Sequence, residues 1–259
     1  MTDYHSKYWA YALTLKNASN SVRYLSKSIS NACVDSNPHQ VRAALFALQS
    51  PLSKGVIFAD EVGLGKTIEA GLVIAQRWAE KKRSILLIVP AFLRKQWELE
   101  LQEKFYLPTQ ILDSKGQTSP FDCSGKILIC SYQFAAQRAE QLQKDWDLVV
   151  IDEAHRMRNV YKSSNKQARA IADALIKSPK LLLTATPLQN NLMELYGLIS
   201  VIDPYVFGDE TSFKDQFILS RDTEERNLIL KRRIEPLIIR TLRKQVKEYI
   251  PFTKRIALT

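Results

Sequence analysis

Short apolar runs alternate with longer stretches of helical spacing along most of the chain. Runs at 55–59, 84–89, 110–112, 126–130, 148–151, 180–184 and 237–240 read as strands, with helices at 66–81, 92–105, 132–143, 163–177 and 191–201. Ile85-Leu86-Leu87-Ile88-Val89 and Leu148-Val149-Val150-Ile151 are continuous rather than alternating, as expected of strands covered by helices on both faces. Strands that alternate with helices predict a parallel sheet, so the expected class is α/β. The 66–81 helix is apolar on nearly all sides up to Gln76 and is expected deep in the core. Two regions stand apart. Residues 1–36 are polar and rich in Tyr and Ser, with a short helical pattern at 22–29; residues 203–235 are charged and helical and predict a protruding insertion before the chain returns to the sheet at Leu237.

Composition narrows the class. Of 259 residues, 46% are hydrophobic and 25% charged, which excludes wholesale disorder. No stretch approaches the ~20 apolar residues of a membrane helix, and no apolar core follows the N-terminus as a signal peptide requires. Cys33, Cys123 and Cys130 lie at no metal-ligand spacing and read as reduced thiols of a cytoplasmic protein. Thirty-seven Lys and Arg against 27 Asp and Glu give a net charge of +10. An excess of this size goes with a polyanionic partner such as nucleic acid, or with solubility charge spread over the surface. It is concentrated at 221–259, where eleven basic residues meet five acidic ones.

The most informative segment is Gly55-Val56-Ile57-Phe58-Ala59-Asp60-Glu61-Val62-Gly63-Leu64-Gly65-Lys66-Thr67: a strand, a glycine-bearing turn, then a helix start. Gly63 and Gly65 permit a backbone that turns successive N–H groups inward as an anion site, and the helix start adds its positive end. Lys66 is placed to reach β- and γ-phosphates and Thr67 to ligate Mg²⁺. The strict phosphate-loop pattern wants glycine at position 60, where this chain has Asp60. The second element is Leu148-Val149-Val150-Ile151-Asp152-Glu153-Ala154-His155, a strand ending in two carboxylates. In a parallel sheet such strand ends open onto the ligand crevice. Asp152 is expected to hold Mg²⁺ through its waters and Glu153 to act as general base on the attacking water. The alternative is an acid pair that only caps a helix. His155, two residues after the presumed base, is a candidate relay.

These motifs, with Leu182-Leu183-Thr184-Ala185-Thr186-Pro187-Leu188-Gln189-Asn190-Asn191, resemble the Swi/Snf family of superfamily 2 helicase-like ATPases, which carries the aspartate that breaks the strict loop pattern. Asn37-Pro38-His39-Gln40 resembles the family's adenine-reading glutamine motif, 88–97 its motif Ia, 129–134 its motif Ib, and 237–246 the end of its first motor lobe. The resemblance spans 37–250 and implies a RecA-like P-loop fold, a parallel sheet with helices on both faces and a helical insertion near the C-terminus. It implies an N-terminal extension at 1–36, an ATP-binding lobe at 37–202, a helical protrusion at 203–236 and, at 237–259, a return to the lobe and the start of a linker to a second lobe.

By the same resemblance, ATP and Mg²⁺ are the ligands. Gln40, Asp60, Glu61, Gly63, Leu64, Gly65, Lys66 and Thr67 form the ATP site, with Asp152, Glu153 and Lys66 catalytic and Thr67 and Asp152 at the metal. Thr184 and Thr186, with Gln189 and His155, would couple nucleotide state to DNA, although Thr-Ala-Thr after a strand also suits an ordinary helix cap. Arg94, Lys95, Ser131 and Tyr132 are candidates for the DNA backbone, and Arg156, Arg158, Lys162 and Lys166 looser ones.

Such motors close a second RecA-like lobe on ATP, and 241–259 carry no further phosphate or strand pattern. The chain is therefore expected to be the first lobe, binding Mg-ATP but hydrolysing it weakly alone, because arginine fingers are worth 10³–10⁵ in rate. The leading expectation is a duplex-DNA-dependent translocase that remodels protein–DNA complexes. An RNA-polymerase-recycling ATPase is a second reading, disfavoured by the short stretch before Asn37. A translocase of a restriction or phage-defence system, partnered by a nuclease or other protein, is a third, and a nucleotide-binding scaffold without turnover a fourth. No membrane partner is expected.

Overall fold

The structure, a computed structural model, is described for residues 37–49, 54–113, 120–122, 125–189, 191–219 and 222–246. The expected helix at 22–29, the 1–36 extension, Asn190 and residues 247–259 lie outside them.

All seven expected strands form: β1 Gly55–Phe58, β2 Ile85–Val89, β3 Thr109–Ile111, β4 Ile127–Ser131, β5 Leu148–Ile151, β6 Lys180–Leu183 and β7 Ile238–Ile239. They make one sheet in the order β3-β4-β2-β5-β6-β1-β7, every pair parallel. The continuous apolar runs are explained by two cores. Ile85, Leu87 and Val89 enter one hydrophobic cluster and Leu86 and Ile88 the other, so each face of β2 is covered. The first face carries α1 (Pro38–Gln49), α2 (Lys66–Ala79) and α3 (Arg94–Phe105), through Ala43, Leu72, Trp97 and Leu101. The second carries α4 (Tyr132–Gln137), α5 (Ala139–Leu142), α6 (Lys166–Ala174), α7 (Leu192–Ile202), α8 (Glu210–Phe217) and α9 (Thr223–Ile234).

Four elements differ from the sequence expectation. Helix α1 was not anticipated; Pro38 opens it, where a missing N–H costs nothing. The 132–143 helix breaks at Arg138 into α4 and α5. The 163–177 helix starts only at Lys166, because the Asn165 side chain accepts from Ala168 N and caps it. The 203–235 stretch is two helices, each opened by an aspartate cap, Asp209 and Asp222. The first is seated by an aromatic stack: Phe213 has its ring 4.9 Å from Phe207, 4.9 Å from Tyr196 on α7 and 5.0 Å from Phe217.

Register brings the site together. Ile88 pairs with Ile151, Ile151 with Leu182, and Phe58 with Leu183, so Asp60, Pro90, Asp152 and Thr184 all leave the sheet at one edge.

Candidate nucleotide site

The loop after β1 has the backbone its glycines permit. Gly63 and Gly65 have φ of 86° and 87°, and Gly65 caps α2. A Cβ on Gly65 would lie 2.5 Å from Gln40 Nε2, so α1 packs directly on the loop. Gln40 Nε2 donates to the Leu64 carbonyl at 3.1 Å and Gln40 Oε1 accepts from Asn37 N at 3.0 Å. Both ends of that amide, 5% exposed, are thus engaged by the protein. Each end keeps one further N–H or lone pair that an adenine edge could meet.

Lys66 Nζ donates to the Asp60 carbonyl at 2.8 Å and to that of Glu61 at 3.4 Å, which holds the ammonium across the mouth of the loop. Leu64 is buried beneath it and Thr67 half-buried on the first turn of α2. The side chains of Asp60 and Glu61, expected at the nucleotide, instead grip the chain after β7. Asp60, wholly buried, accepts from Thr241 N at 2.6 Å, and Glu61 Oε2 accepts from Arg243 N at 3.1 Å. Arg243 NH2 returns a bond to the Val62 carbonyl at 2.6 Å. Through these bonds both side chains brace the loop.

Behind the loop lie two residues to which no role was assigned from sequence. His39 hydrogen-bonds the Leu64 carbonyl at 3.0 Å, and Glu69 on α2 is wholly buried. The ligating atoms of His39, Asp60 and Glu69 fall within 4.8 Å of one another. Burial, then the Asp60 charge and a hydrogen bond to Asp60, push the Glu69 carboxyl up to about 9. It therefore keeps its proton at neutral pH, close beside the Asp60 carboxylate.

Asp152 follows β5, with Oδ1 accepting from Glu153 N at 2.8 Å and Oδ2 from Trp97 Nε1 at 2.8 Å. Burial raises its pKa, while the Trp97 and Glu153 hydrogen bonds and the Lys66 charge pull the other way. Lys66 and Asp152 thus feel each other across the crevice. Thr67 and Asp152 fit a hydrated Mg²⁺: a hydroxyl at a helix start, and a carboxylate whose desolvation a divalent cation would offset. Glu153 has φ of 51° and places Oε2 2.9 Å from His155 Nδ1, with both side chains about two-fifths exposed (42% and 41%).

The structure alters several expectations for DNA contact. Tyr132 is 3% exposed, its hydroxyl donating to the carbonyls of Asp152 at 2.7 Å and Glu153 at 3.3 Å. Ser131 is 9% exposed and caps α4 through Phe134 N. Both side chains are turned inward, Ser131 onto the start of that helix and Tyr132 onto the backbone of the acid pair. Arg158 is also buried: it donates to Gln189 Oε1 at 2.8 Å and to the Thr186 carbonyl at 2.6 Å and hydroxyl, and approaches Glu194 at 3.5 Å. Thr184 Oγ1 accepts from Thr186 N at 3.2 Å. Arg158 therefore straps the turn after the acid pair to the Thr184–Gln189 loop. Lys95, Arg156, Lys162 and Lys166 are exposed. Arg94 is half-buried and bonds the carbonyls of Ala91 and Leu112.

A family model described as SNF2-related domain matches residues 18–258. The uncharacterized ATP-dependent helicase YqhH of Bacillus subtilis is 36% identical over 212 residues, which are 80% of this chain and 36% of that protein. The RNA polymerase-associated protein RapA of Pectobacterium atrosepticum is 36% identical over 189 residues, 68% of this chain and 19% of its own length. The chain thus spans about a third or less of these curated relatives. Among solved structures, the Sulfolobus solfataricus SWI2/SNF2 ATPase core in complex with dsDNA aligns with a TM-score of 0.71 and 25% identity, over 82% of this chain and 45% of that one. The core domain from the same organism gives 0.72 and 23%, over 91% and 49%. The seven-stranded parallel sheet is therefore of the RecA-like class expected from the motifs.

Proposed function

Because the chain belongs to the SNF2-related family of helicase-like ATPases, we propose that it is the first RecA-like lobe of a duplex-DNA-dependent translocase that remodels protein–DNA complexes. The observation that carries this reading is the meeting, at one sheet edge, of the phosphate loop with Lys66 and the Asp152–Glu153 pair, near enough for the Lys66 charge to oppose the burial that raises the Asp152 pKa. Residues 37–202 form the ATP-binding lobe, 203–236 its helical protrusion, and 237–259 the return and linker.

Thr67 and Asp152 would hold Mg²⁺, which when bound would supply neutralisation of the phosphate charge. Lys66 leaves its own loop carbonyls for the β- and γ-phosphates. Glu153 accepts a proton from the water whose oxygen attacks the γ-phosphorus as ADP leaves, and His155, 2.9 Å away, orients that carboxylate and relays the proton onward. The Arg158 strap carries the state of the acid pair to Thr186 and Gln189, which face the polynucleotide side. Lys95, with Arg156, Lys162 and Lys166, supplies the backbone contacts. Turnover is completed by a second lobe, so this chain alone hydrolyses ATP weakly.

A second reading is favoured by the RapA relatives, whose name is RNA polymerase-associated protein: the same motor would then serve as an RNA-polymerase-recycling ATPase. Titration calorimetry of ADP into this chain and into Lys66→Ala tests the reading. Wild-type binding that needs Mg²⁺ and weakens at least tenfold in the variant supports it; equal binding by both proteins refutes the loop assignment.

A further inference from the structure

The acid pair is held from below by two aromatic residues that neither ligate nor face a nucleotide. Trp97, in the first turn of α3 and 2% exposed, spends its only polar atom on Asp152 Oδ2, at 2.8 Å. The other carboxylate oxygen is fixed by the neighbouring Glu153 N at 2.8 Å, so the plane of the carboxylate is set by these two bonds. Tyr132, at the start of α4, spends its hydroxyl on the carbonyls of Asp152 and Glu153, at 2.7 and 3.3 Å. Glu153 has φ of 51°, a left-handed conformation that a residue with a Cβ adopts at a cost and that surrounding structure must hold. A buried indole N–H or phenol needs a partner, but many carbonyls would serve. Here both choose the dipeptide that carries the metal carboxylate and the base.

We propose that Trp97 and Tyr132 are positioning residues for nucleotide hydrolysis, Trp97 aiming the Asp152 carboxylate at the divalent cation and Tyr132 holding the left-handed backbone that points Glu153 at the attacking water. The inference rests on the function proposed above. Outer partners that orient metal-associated carboxylates typically change metal affinity or activity by 10–100-fold when removed. The two residues divide the effect: loss at Trp97 is read in the metal requirement, loss at Tyr132 in turnover.

Trp97→Phe keeps the ring and drops the N–H; Tyr132→Phe drops only the hydroxyl. In this chain, the Mg²⁺ concentration that half-saturates ADP binding should rise about tenfold in Trp97→Phe and stay within twofold in Tyr132→Phe. In the longest natural chain that contains this segment, Tyr132→Phe should lower kcat about tenfold with the KM for ATP unchanged. A purely structural role would lower thermal stability and move neither quantity. The indole N–H resonances of the wild-type chain need no variant. One of the four tryptophans should shift when Mg²⁺ is added to the ADP complex and not when ADP is added alone. An unchanged Mg²⁺ requirement in Trp97→Phe, a static set of indole resonances, or undiminished kcat in Tyr132→Phe overturns the proposal. If the wild-type chain binds no Mg-ADP, the functional reading fails and this inference falls with it.

Discussion

Glu69 offers a prediction whose size follows from the structure. Its carboxyl is wholly buried beside Asp60 and is pushed from 4.5 up to about 9, chiefly by burial. Between those values the folded chain holds a proton that the unfolded chain has released. Stability therefore falls as pH rises through that window, and below it both states are protonated and no penalty remains. At pH 7 the unfolded group lies some 2.5 units above its own pKa, which places the cost of keeping Glu69 neutral at about 3 kcal/mol. Glu69→Gln places a neutral group of the same shape beside Asp60 and has nothing to ionise on unfolding. The variant should exceed the wild type by about 1 kcal/mol at pH 5 and by about 3 kcal/mol at pH 7. Urea denaturation of both proteins at pH 5, 6, 7 and 8 measures the difference. Glu69→Ala should instead destabilise, because it leaves a cavity at a wholly buried position. Parallel stability curves for wild type and Glu69→Gln across that range would refute the buried, protonated carboxyl.

Glu153→Gln should keep Mg-ATP affinity within about threefold and lower hydrolysis at least 100-fold in the longest natural chain, since it removes the base and leaves the loop intact; wild-type turnover would show that Glu153 is not the base. Gly197→Ala should destabilise by roughly 3 kcal/mol or more in urea denaturation, because the new Cβ would fall 1.8 Å from the Arg158 carbonyl oxygen; an unaltered midpoint would contradict the close packing of α7 on the turn after the acid pair. Duplex-DNA affinity should fall with salt at a log–log slope of about −2 or steeper, as expected if at least two or three phosphates are neutralised, and Lys95→Glu should weaken it; a salt-independent signal would contradict backbone contact.

The fold was legible in sequence because its strands are buried on both faces and so appear as unbroken apolar runs, of which 85–89 and 148–151 are the clearest. The phosphate loop and the acid pair were legible for a different reason: each is a contiguous segment whose chemistry depends on neighbours in sequence. Helix α1 was less visible because its opening Pro38, His39 and Gln40 are polar or helix-starting residues, although His39 and Gln40 are buried against the loop. What no local pattern carries is pairing across the sheet edge. The bond from Trp97 to Asp152 joins residues 55 apart, and that from Thr241 to Asp60 joins residues 181 apart. Tertiary packing alone brings these groups together, which is why the bonds that Asp60, Glu61 and Tyr132 make within the protein could not be read from their motifs. Arg158 shows the same limit: in a basic stretch it reads as surface, and only the packing of α7 beside its turn reveals it as an internal strap.

The most direct test of the central claim is steady-state ATP hydrolysis by the longest natural chain containing this segment, and by the 259-residue chain itself, each alone and with duplex DNA, single-stranded DNA or RNA. Strong stimulation of the longer chain by duplex DNA, with the 259-residue chain nearly inactive under every condition, is the predicted result. Stimulation by RNA in preference to duplex DNA, or full activity in the shorter chain, would contradict it.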